Sequence, residues 1–81
     1  MPRTRNASNE ALEKANYDLE EIVDKVGLKN TVELLTGICF GKAGHIQETY
    51  DEEWDWLADL WEKGGAALDG ALVRIQKLRF P

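Results

Sequence analysis

Trp54-Asp55-Trp56-Leu57-Ala58-Asp59-Leu60-Trp61-Glu62-Lys63-Gly64-Gly65-Ala66-Ala67-Leu68 either continues as one helix through its glycine pair or breaks there, and the architecture differs in the two cases. Trp54, Leu57, Trp61, Gly64, Leu68, Ala71, Ile75 and Leu78 keep heptad spacing on both sides of Gly64-Gly65. A register that survives two glycines predicts one long helix, kinked or locally soft at Gly64-Gly65. Thr49 followed by Glu52 forms a capping box at its start, with Asp51 as a competing cap. Arg74, Lys77 and Arg79 supply the positive charge that suits a helix C-terminus.

Two shorter helices are expected upstream. Ser8 or Asn9 caps the first, in which Leu12, Ala15, Leu19, Ile22 and Val26 recur in alternating steps of three and four and so share a face. Gly27 ends it as a C′ residue, with Leu28 as the apolar follower. Asn30 or Thr31 starts the second, Glu33 reaching back to a free amide. Its buried sector is Val32, Leu35, Cys39, Ala43, Ile46 and Tyr50. Gly37, Gly41 and Gly44 form a separate strip, either approached by another backbone or open to solvent at up to about 1 kcal/mol each. Residues 1–8, with Arg3 and Arg5, read as a flexible basic arm, and residues 9–81 as a single helical domain.

The helix lengths carry a further expectation. About 28 residues of helix span roughly 42 Å, whereas two helices of about 17 residues reach roughly 26 Å. Leu68, Leu72, Ile75 and Leu78 would overhang and need cover, by folding back at the glycines or by a second chain. An antiparallel homodimer with these four residues at its interface is the expected solution.

Composition agrees. The chain has 81 residues, 43% of them apolar and 31% charged, with a net charge of -5 and only two prolines, which is globular and helix-favouring. A domain of this size buries only roughly 60% of its unfolded surface, so help from a second copy is in keeping with its length. The acid excess argues against nucleic-acid binding, and no apolar run approaches the roughly 18 residues of a membrane span. Cys39 is the lone cysteine and no apolar segment follows the early arginines, so a cytoplasmic location is expected.

Catalytic and metal chemistry find little purchase. His45 is the single histidine; Glu48 and Glu52 are its nearest acidic company, short of the three or four ligands of a zinc site, so it reads as a boundary residue. Cys39 reads as a small buried hydrophobe, and on one helix it points about 120° away from His45, which excludes a direct pair. Gly37-Ile38-Cys39-Phe40-Gly41-Lys42-Ala43 has the wrong spacing for a phosphate loop and lacks its hydroxyl. A helix-turn-helix around residues 26–31 is disfavoured because residues 31–50 hold Lys42 as their one basic residue. No catalytic, metal or cofactor site is expected.

The tryptophans are more informative. Trp54 and Trp61 share the heptad seam and belong to the core, whereas Trp56, some 200° from Trp54, faces the other side with Leu60. Trp56 and Leu60, flanked by Asp55 and Asp59, are the candidate surface for a protein partner. The acids Asp51, Glu52, Glu53, Asp55, Asp59 and Glu62 around them form a solvated face, or a surface that imitates nucleic-acid charge.

Ile38-Cys39-Phe40-Gly41-Lys42-Ala43-Gly44-His45-Ile46, followed by Trp54, Leu57-Ala58, Trp61 and Ala67-Leu68-Asp69, resembles a group of small bacterial and phage-associated proteins with an Ile-Cys-x-x-Lys-Ala-x-His-Ile motif. The similarity covers residues 28–70. It implies a helical protein of unknown activity and transfers no site residue; acids in the group at the places of Gly41 and Gly44 imply a solvent-facing glycine strip. The expectation is an all-α three-helix domain, dimeric, acting as a non-enzymatic protein-interaction module. The alternative is a small acidic phage-type inhibitor that mimics nucleic-acid charge to block a nucleic-acid-binding enzyme.

Overall fold

Ser8 opens the first helix by accepting a hydrogen bond from the Ala11 amide at 3.2 Å, which satisfies one of the free donors of the first turn. In the computed structural model, which describes residues 8–79, three helices follow: α1 (Asn9–Val26), α2 (Leu28–Thr49) and α3 (Asp55–Ile75), with a 3₁₀ turn (Glu52–Trp54) leading directly into α3. The described residues contain no strand. The expected basic arm lies, apart from Ser8, outside them.

The joint between α1 and α2 is a single residue. Gly27 has φ 87° and ψ 161°, a region that side-chain-bearing residues rarely enter. Its N–H donates to the Val23 carbonyl at 2.8 Å, closing α1, while its own carbonyl accepts from the Thr31 amide at 3.1 Å and from the Thr31 hydroxyl at 2.8 Å, opening α2. Because Gly27 serves both ends, α2 begins at Leu28 and not at the expected Asn30 or Thr31. Asn30 instead donates from Nδ2 to the Val26 carbonyl at 2.9 Å, finishing the preceding helix. Gly27→Ala is expected to cost about 1–3 kcal/mol at this joint. Hydrogen exchange should show the loss as faster opening of α1 amides and of the first turn of α2, with those of the α2–α3 core little changed.

α2 and α3 form an antiparallel hairpin. Ala43 and Ile46 on α2 meet Leu57 and Ala58 on α3, with Tyr50, Trp54 and Trp61 packed round them. Further along, the Phe40 ring lies over Gly65, so close that a Cβ there would meet it at 2.9 Å, and Cys39 Sγ lies 4.0 Å from the Cβ position of Gly64. The glycine pair therefore sits at the contact between the two helices, and α3 runs through it without interruption. Gly37, Gly41 and Gly44 meet nothing within 4 Å, which is the solvent-open alternative for that strip.

The helix lengths correct the expected overhang. α2 has 22 residues, not about 17, and α3 has 21, ending at Ile75 and not at Leu78. The two match, so the C-terminal half of α3 lies along the N-terminal half of α2. Leu72 is buried, Leu68 and Ile75 are half-buried, and Leu78, beyond the helix, is 58% exposed. Thr31 and Thr36 are buried too; each hydroxyl donates to the carbonyl four residues earlier, which lets a polar residue be buried without an unmet hydrogen bond.

α1 stands apart from this hairpin. It packs on α2 only and has no buried residue, although Leu12, Leu19, Ile22 and Val26 give it a strong apolar face. With α2 between α1 and α3, the molecule measures 47 × 32 × 15 Å. That is close to a single layer of helices, where stable domains stack two.

Candidate interaction surfaces

α1 and α2 enclose an apolar groove of about 150 Å³, lined by Leu19 and Ile22 from α1 and by Thr31, Leu34, Leu35 and Ile38 from α2. The groove exists because α2 is apolar on two sides. Val32, Thr36, Ala43 and Ile46 turn to α3, while Leu34, Leu35 and Ile38 turn away from it and remain exposed. Leu35 was expected in the buried sector; it sits on the groove side instead. Behind the joint, Val26, Asn30, Glu33 and Leu34 line a shallower depression of about 350 Å³. Spacing predicts one apolar face per helix, so a second face on α2 was not anticipated, although the unbroken Leu34-Leu35 pair and Ile38 signalled it.

The residues expected to form a partner surface lie at the start of α3. Trp56 is 57% and Leu60 54% exposed, one turn apart, beside exposed Asp55 and Asp59. Trp56 does not stand on the side opposite Trp54, however. Their ring centroids are 6.1 Å apart at 34°, because residues 52–54 wind as a 3₁₀ turn and the 100° step of an α-helix does not apply across it. Asp51 precedes that turn without a side-chain cap, and Thr49 is still in α2, so neither expected cap forms. Asp59 carboxylate and Lys63 ammonium lie 2.8 Å apart; this hydrogen bond and the nearby negative charge hold the lysine above its ordinary range. All six acids from Asp51 to Glu62 are exposed.

The remaining candidates are not brought together. His45 is exposed, its Nδ1 3.5 Å from the Thr49 hydroxyl and its ring edge-on to Tyr50. Cys39 is half-buried against α3. Among the described residues no three His, Cys, Asp or Glu side chains converge as metal ligands, and no helix is long and apolar enough to cross a membrane. Compared with known protein families, with curated proteins and with solved structures, the chain shows no match.

Proposed function

We propose that this chain is a non-enzymatic protein-interaction module that works with the open face of α1 and α2 covered by protein. The observation that carries the reading is an 18-residue amphipathic helix that buries none of its own side chains. Isolated helices near that length are marginal in water, and most helical stability in proteins comes from packing an apolar face. Leaving Leu12, Leu19 and Ile22 in water while α1 stays helical makes physical sense when another surface completes the layer. The lone Cys39, half-buried and without a second thiol in the chain, fits a reducing cytoplasm.

The acidic stretch from Asp51 to Glu62 supports a second reading, the imitation of nucleic-acid charge, because its six carboxylates, before and within the start of α3, are exposed together with Trp56. One experiment separates the two. A photo-crosslinking residue placed at Ile22 or at Trp56 reports what touches each position in a cell extract brought to chosen ionic strengths. The interaction module is supported by protein adducts from Ile22 that persist at high salt, and overturned if Ile22 gives none. Adducts confined to Trp56 that vanish above physiological ionic strength support the charge mimic instead.

A further inference from the structure

We propose that the groove between α1 and α2 is filled by α1 of a second copy of this chain, and reciprocally, with the two α1 helices antiparallel. The inference rests on the interaction reading above and names its partner. Along α1, Leu12, Leu19 and Val26 alternate with Ala15 and Ile22 in the 4-3 pattern of a coiled-coil seam. The acids are sorted around it. Glu13, Glu20, Glu21 and Asp24 occupy outer positions, whereas the flanks of the seam hold Ala11, Asn16, Asp18, Val23 and Lys25. A helix that carries six acids against two lysines can thus approach its own copy with a single acid and a single base on the flank.

Those two charges choose the register. Setting Leu19 against the partner's Ile22 puts Ala15 against the partner's Val26, a small side chain facing a larger one, and aligns Asp18 with the partner's Lys25 twice across the two-fold axis. Sliding the pair by one heptad would put Asp18 against the partner's Asp18, where like charges repel. In the isolated chain Asp18 holds Lys14 at 3.2 Å with both side chains exposed, a weak contact that leaves Asp18 available.

The area is sufficient. Leu12, Leu19, Ile22, Leu34, Leu35 and Ile38 are each between 38% and 57% exposed, which leaves roughly 500 Å² of apolar side chain per copy and about 1,000 Å² for the pair, the threshold of a specific interface. The thickness argues the same way, since two slabs of 15 Å stacked on this face make a two-layer domain.

Light scattering over a dilution series tests the assignment. The expected mass is twice 9.2 kDa at high concentration, falling towards 9.2 kDa on dilution. Ile22→Glu should give monomers with the helical signal of α2 and α3 retained, because Ile22 is 42% exposed and lies outside the α2–α3 core. Asp18→Lys should weaken association about tenfold at low salt, by turning two weak attractions into repulsions. Adding Lys25→Asp to that variant restores opposite charges and should restore the mass. A wild-type monomer at millimolar concentration overturns the inference, as does a dimer indifferent to Ile22→Glu or a double swap without rescue. Foreign adducts from Ile22 on such a monomer would leave the interaction module standing with a different occupant, so the two readings fail separately.

Discussion

Ala58→Asp is expected to unfold the chain. Ala58 is completely buried at the centre of the hairpin, against Ala43, Ile46 and Leu57, with Trp54 and Trp61 beside it. Ala43 and Ala58 in one cluster let α2 and α3 come close, and a carboxylate placed there has no buried cation to pair with, since no charged side chain is buried among the described residues and both Lys42 and Lys63 are exposed. A buried charge without a partner costs several kcal/mol, and the added volume forces the helices apart besides. A domain of this size has only about 5 kcal/mol to lose. Far-UV circular dichroism should show loss of helix, and tryptophan emission should shift to the red as Trp54 and Trp61 lose their packing. Ala66→Asp, at an exposed position of the same helix, is the matched comparison; it should cost no more than about 0.7 kcal/mol, the difference in helix propensity. If both variants remain folded with similar stability, the hairpin does not close through Ala58.

The contrast between these alanines also marks what is legible in the sequence and what is not. Heptad spacing puts Trp54, Leu57, Trp61, Gly64, Leu68, Ala71, Ile75 and Leu78 on one seam, and it carries through Gly64-Gly65 as the continuous helix does, whereas the buried Leu72 lies outside that seam. The spacing gives no reason for the glycines. They are explained by Phe40 and Cys39 lying across them, a contact between residues 25 apart in sequence that local periodicity has no means to report. The same applies at Gly27, where a helix-ending signal is visible but its economy is not: one residue closes α1 and opens α2, so α2 starts already at Leu28. Thr36 is not in the apolar pattern, yet it is buried because its hydroxyl donates to the Val32 carbonyl of its own helix. The apolar face of α1 was plain from spacing. What spacing could not say is that the rest of the chain would leave that face uncovered, since exposure depends on where α3 goes, and α3 goes to the other side of α2.

Ile46→Ala is expected to remove about 3 kcal/mol, in the range for large-to-small changes in a core, and most of the stability of the isolated chain. Ile46 is buried between α2 and α3, and its loss leaves a cavity that Tyr50, Trp54 and Trp61, held by the same cluster, cannot readily close. Because this contact lies inside one chain, the loss should be the same at every protein concentration. Leu19→Ala gives the opposite pattern. Leu19 is 45% exposed in the single chain, so its truncation should cost little when the protein is dilute. In the assembled pair Leu19 is covered, and the cost should then grow with concentration, since association stabilises folded chains by mass action. Urea titrations of both variants at micromolar and near-millimolar concentration would read this directly. A midpoint shift independent of concentration for Ile46→Ala, and one that widens with concentration for Leu19→Ala, assigns one residue to the fold and the other to the surface that the fold leaves open. Equal behaviour of the two would mean that α1 is held within its own chain, and that its exposed apolar face has no second copy to meet.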